Sequence, residues 1–168
     1  MTSIIDLAAG IVFVCCLLFR HALEADPVTH MLVQMPLLAW CGAVAASHFT
    51  TFEVDWNKTG LAPLLVAIFA VAFWMLPRSI DAAITSPIVA MAKYISLPLL
   101  VGMPLALGWR RAHPLLKGFL KAQSISMLGV LAFLYTHAPV RICSVYLIDD
   151  QVRLGTGFLA AAVAFALI

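Results

Sequence analysis

IVAMAKYISLPLLVGMPLAL, residues Ile88 to Leu107, holds a single charged side chain, Lys93, in twenty positions. Coiled as an α-helix, an apolar stretch of roughly that length matches the ~30 Å hydrocarbon thickness of a bilayer. The run does not alternate apolar with polar residues, so a membrane-barrel strand is excluded and a spanning helix is predicted. Pro98 and Pro104 lie inside it; membrane helices tolerate internal prolines, which predict kinks there.

The rest of the chain reads the same way. Further apolar runs cover Ile4 to Leu18, His30 to about Ala46, Leu61 to about Leu76, about Leu116 to Tyr135, and Leu154 to Ile168. Over 168 residues the mean hydropathy is +1.05, with 64% hydrophobic and only 11% charged residues. A water-soluble domain carries about a quarter of its residues as charges. The expected fold is therefore all-α, a single-domain polytopic transmembrane helix bundle of about six spans. Asp6 stands where a signal peptide has its basic start, and no small-residue cleavage site comes after Leu18, so a retained first helix is predicted. Six spans put both termini on one side. Lys58, Arg110, Arg111, Lys117 and Lys121 fall on that side, four of them crowded into GWRRAHPLLKGFLK, which predicts cytoplasmic termini.

Several function classes fall away at once. The loops are too short for a soluble domain, and no internal repeat or low-complexity tract is present. A net charge of +2 with no basic, aromatic-interleaved stripe gives no footing for nucleic acid. No Ser–His–Asp set, P-loop or dinucleotide fingerprint occurs, so no enzyme is predicted. Cys15, Cys16, Cys41 and Cys143 have no metal-site or disulfide spacing; the first three read as small apolar fillers and Cys143 as a lone outer-face thiol.

The polar residues within the apolar chain are what remain. HMLVQM, His30 to Met35, places His30 with Gln34 and Met31 with Met35 at helical spacings of four, and the stripe continues to Cys41 and His48. It reads either as a hydrogen-bonded helix seam with methionine filler or as a ligand set. Imidazole with thioether suits Cu(I) or an axial haem iron. FWMLPRSID, Phe73 to Asp81, reads as a helix end with Trp74 in the aromatic belt, a snorkelling Arg78, an Arg78–Asp81 pair, and Met75 at the depth of His30. Asp149 and Asp150 read as first-turn acids of the last helix beside Arg141, and Tyr146 as a belt residue. Lys93 is expected to snorkel outward.

Three of these segments, in order, resemble the CtaG family of polytopic bacterial assembly factors for caa-type cytochrome c oxidases. His30-Met31-Leu32-Val33-Gln34 through Gly42 is similar to that family's HMxxH-type helix opening. Trp74-Met75-Leu76-Pro77 leading into Asp81-Ala82-Ala83 looks like its W-H-x-P element, and Asp150-Gln151 through Gly155 like its D-Q-x-x-G element with the glycine displaced by one. The chain departs from the pattern at Gln34 and Met75, which stand where the family has histidines, and at Lys93, near an expected acidic-His element.

The resemblance implies a multi-pass protein of the bacterial cytoplasmic membrane that assists assembly of, or copper delivery to, a respiratory haem–copper oxidase or related metalloenzyme. In that reading His30, Met31, Met35 and Met75 hold copper, with Gln34 behind them. The alternative is an accessory transmembrane subunit of a redox complex, binding b-type haem between His30 and His137 or binding nothing. A small transporter is the third reading, weakened by the lack of an ionisable residue at the bilayer midplane and of repeated halves.

Overall fold

In a computed structural model of the chain, residues 2–49, 58–138, 143 and 145–167 are described. Among these residues the fold is all-helical, with no strand. The α-helices are α1 (Thr2–Leu18), α2 (Arg20–Ala25), α3 (Met35–Ala45), α4 (Leu61–Trp74), α5 (Pro77–Thr85), α6 (Pro87–Ser96), α7 (Met103–Arg111), α8 (Pro114–His137) and α9 (Ile148–Leu167). Proline opens α5, α6 and α8 at the first helical position, where its missing N–H breaks no helical bond.

Three continuous helices are long and apolar enough to cross a membrane: Thr29–Phe49, Pro87–Arg111 and Pro114–His137. A fourth exists if α4 and α5 count as one span bent by 71°. The six spans expected from the sequence are therefore too many. The Ile4–Leu18 run lies on α1, whose 17 residues reach only about 25 Å. The run from Leu154 is the continuation of α9, whose first two turns carry Asp149, Asp150 and Arg153. Leu61 to Leu76 does not continue straight, because Pro77 starts a new, amphipathic helix at a sharp angle.

Two of the spanning helices are widened by π-helical turns, Thr29–Gln34 before α3 and Leu97–Gly102 between α6 and α7. In each the closing N–H reaches back five residues, from Met35 to the His30 carbonyl and from Met103 to the Pro98 carbonyl. The very next residue is a proline, Pro36 or Pro104. A proline ring collides with the carbonyl four residues back in an α-helix; opening the turn to i→i+5 moves that carbonyl away. The kinks expected of Pro98 and Pro104 thus take the form of a wider turn.

Helix α3 and the Leu97–Gly102 turn cross with their backbones touching. A Cβ on Gly42 would run into the Pro98 backbone, and one on Gly102 into that of Ala39. This small-residue crossing is how membrane helices approach without a hydrophobic drive between them. At the far end, Gly60 takes a left-handed φ of 72° to start α4 and sits against the Gly108 backbone of α7. Helices α8 and α9 form an antiparallel hairpin, with Gly155 close to Ala132 and Thr136 and the buried Gln151 donating to the Tyr135 carbonyl at 3.3 Å. The D-Q-x-x-G-like segment therefore makes helix packing. Apolar residues such as Ile88, Phe69 and Leu115 remain exposed on the outer faces, as a lipid-contacting surface requires.

Candidate functional site

The residues that draw attention are polar and entirely enclosed. His30, Gln34 and Lys93 have 0% exposure and Glu24 has 7%. The widened turn Thr29–Gln34 turns His30, Met31 and Gln34 all inward, and α6 brings Lys93 and Tyr94 in from the other side. Short α2, beginning one residue beyond α1, swings Glu24 back over the same point.

Lys93 Nζ is the centre. It donates to Glu24 Oε1 at 2.7 Å and to Gln34 Oε1 at 2.8 Å, and stands 3.0 Å from His30 Nε2. Three acceptors take three N–H bonds, so the full valence of an ammonium is used. This fixes the directions of the other bonds. Tyr146 Oη donates to the Glu24 backbone carbonyl at 2.9 Å, so it accepts from His30 Nδ1–H, also at 2.9 Å. Neutral imidazole protonated on Nδ1 leaves Nε2 free to accept from Lys93. On the other branch Gln34 Nε2 donates to Tyr94 Oη at 2.8 Å, and Tyr94 Oη donates to the Cys16 carbonyl at 2.9 Å. Burial pushes the Tyr146 phenol above its usual range, which keeps it the neutral donor this arrangement needs. Every polar atom of the cluster named here has a partner, and both branches end on backbone carbonyls.

The expectation that Lys93 snorkels outward is overturned. Its position about a turn and a half into α6 puts a carboxylate within reach inside the bundle, and a buried pair with full hydrogen bonding competes with the walk to the interface. Glu24 is legible in the sequence only as an acid between two helices; nothing in the pattern ties it to a lysine 69 positions away. A lone lysine inside an apolar run is the one signal that prompts a search for its partner.

The three methionines singled out from sequence share one hydrophobic core, while the histidines part company. Met31 and Met35 are buried in the hydrophobic core beside Leu38, Trp74 and Tyr135, and Met75 packs against that core from its edge. Trp74, expected in the aromatic belt, is 3% exposed and donates from Nε1 to Ser96 Oγ at 3.0 Å. His137 is exposed at the end of α8, stacked on Phe133 with ring centroids 4.4 Å apart. His48 sits on the surface, 3.0 Å from Asp6. Arg141 lies outside the described residues; Arg153 is the cation that reaches both Asp26 and Asp150, at 3.6 Å each.

Cys143, expected alone on the outer face, is instead buried 3.7 Å from Tyr135 Oη. Burial, with a smaller contribution from the Asp81 charge, raises its thiol above the usual range, against the opposing Tyr135 contact. Thiolate is the reactive form, so Cys143 is expected to resist a maleimide at pH 7 in detergent and to react once dodecyl sulfate unfolds the chain. Equal labelling before and after unfolding would show the thiol to be open.

Among the described residues no three His, Cys, Asp or Glu side chains gather as a metal site. His30 Nε2 is the natural ligand atom, and the ammonium of Lys93 stands on it. A copper ion there would face a fixed positive charge at hydrogen-bond range, so the residues as arranged do not fit it. A haem iron meets the same obstacle at His30. No family model, no curated protein and no solved structure matches this chain.

Proposed function

We propose that the protein is an integral accessory or assembly component of a membrane redox complex, a respiratory haem–copper oxidase or a related metalloenzyme, in the bacterial cytoplasmic membrane. Its role in this reading is structural: it presents a shaped helical surface to a partner and does not itself carry the metal. The three ordered sequence anchors that resemble the CtaG family supply the class of partner. One observation carries the mode of action: both ring nitrogens of His30 are engaged by the protein's own Lys93 and Tyr146. The polar stripe His30–Gln34 then serves as the clamp that joins α2, α3, α6 and the segment before α9.

The proposal is tested by elemental mass spectrometry of detergent-purified protein, alongside native electrophoresis of a mild membrane extract. Expected are copper and iron contents that do not change on His30→Ala, and migration of the wild-type chain with a larger membrane complex. Near-stoichiometric copper that disappears in the variant would overturn the structural role and would require Lys93 to move aside during loading. Haem iron lost in both His30→Ala and His137→Ala would establish an electron-carrying subunit instead.

A further inference from the structure

An open cavity of about 240 Å³ lies directly outside the Lys93 cluster. Its wall consists of Arg20, His21, Glu24 and Ala25 from α2, Ile84 from α5, and Val145 with Tyr146 from the segment before α9. None of these residues belongs to the three continuous spanning helices. The cavity therefore sits where the apolar α1 ends and short segments close the bundle, the kind of helix-end position that lipid headgroups meet.

The acids around it face partners of the protein's own, and two buried polar atoms there make no hydrogen bond, Asp26 Oδ1 and Arg20 Nε. The Glu24 carboxylate is held by Lys93 at 2.7 Å. Asp26 accepts from the Thr29 N–H at 3.3 Å and faces Arg153, and Asp81 accepts from the Val145 N–H at 3.4 Å. Arg20 borders the cavity, and its Nε is shut off from solvent with no hydrogen-bond partner. A buried guanidinium N–H without an acceptor is an unfavourable arrangement that a native fold corrects with a partner. The planar Nε edge of arginine matches two oxygens of a phosphate or carboxylate, and Arg20 is a wall residue of the cavity. His21 adds a second donor to the same wall.

We infer that this cavity is a phosphate-binding site in which Arg20 is the principal ligand. A phospholipid headgroup and free inorganic phosphate present the same oxygens to it.

The test is native mass spectrometry of the delipidated full-length protein in phosphate-free detergent, titrated with phosphatidylglycerol, with diacylglycerol of the same chains, or with inorganic phosphate. One phosphatidylglycerol or one phosphate per chain is expected, with diacylglycerol not retained. Arg20→Gln should bind roughly tenfold more weakly or worse, the loss of one charge-assisted contact. Ala25→Trp fills the cavity from an exposed position while keeping every charge, and should block binding to a similar degree, so a folding defect at Arg20 does not decide the matter. Retention of the phospholipid alone assigns the site to a headgroup, and retention of both ligands to phosphate in general. Binding of diacylglycerol equal to that of phosphatidylglycerol with no phosphate bound, or wild-type binding in both variants, overturns the site.

Discussion

Lys93→Met is expected to lower the stability of the folded protein by about 3–5 kcal/mol, the magnitude seen when one partner of a buried ion pair is removed. Methionine fits the volume of the lysine stem but leaves the Glu24 carboxylate buried without its counter-charge, and leaves His30 Nε2 and Gln34 Oε1 without a donor. Reversible unfolding in mixed micelles with increasing dodecyl sulfate measures the loss. The double variant Glu24→Gln/Lys93→Met removes the orphaned charge, so it should be more stable than Lys93→Met alone. The coupling between the two sites is expected in the range of about 0.5–3 kcal/mol. A Lys93→Met protein within about 0.5 kcal/mol of wild type, the ordinary range for a surface change, would mean that the lysine reaches the interface and that the cluster does not exist as described.

The second large effect lies at the helix crossing. Gly102→Leu is expected to cost about 3 kcal/mol, at the upper end of overpacking penalties, because its Cβ meets the Ala39 backbone rather than a movable side chain. Gly42→Leu should act through the same crossing from the other helix against Pro98. Since either change pushes the two helices apart, the double variant should lose clearly less than the sum. Gly129→Ala in α8, where a Cβ meets nothing within 4 Å, is the control, expected to be neutral or to stabilise by up to about 1 kcal/mol through helix propensity. The same micelle unfolding assay ranks all four; Gly102→Leu behaving like Gly129→Ala would remove the backbone contact from the fold.

Much of this architecture can be read from residues alone, and the rest cannot for definable reasons. Apolar runs locate the Thr29–Phe49, Pro87–Arg111 and Pro114–His137 helices closely, and Pro77, read as the stop of the Leu61 run, also opens the next helix. The number of spans is not so readable, since a run of fifteen apolar residues has the same hydropathy whether it crosses the bilayer or lies on it. The π turns are hidden for another reason: proline signals a local break, but a kink and a widened turn both answer it.

For the site, spacing of four correctly puts His30 and Gln34 on one face, and leaves open whether that face is a seam or a ligand set. Periodicity orders residues within a helix and says nothing of what faces them, so a rule that considers only its own helix sends Lys93 outward. Tyr146 reads as a belt residue because an aromatic near a helix end usually is one; here its hydroxyl is spent inside, between His30 and the Glu24 carbonyl. Met31 and Met35 show the converse, since a methionine stripe has the same spacing whether it fills a core or holds a metal.

The separation of 69 positions between Glu24 and Lys93 also has a history in time. A ribosome adding roughly 5–20 residues per second finishes Glu24 some 3–14 s before Lys93 exists. Through that interval the nascent chain holds Glu24 without the lysine that later encloses it. The packing of α2 against the bundle that this pair fastens can be completed only once α6 is made. A chain that ends before residue 93 is therefore expected to leave the Glu24 carboxylate without its ammonium partner and α2 loosely held.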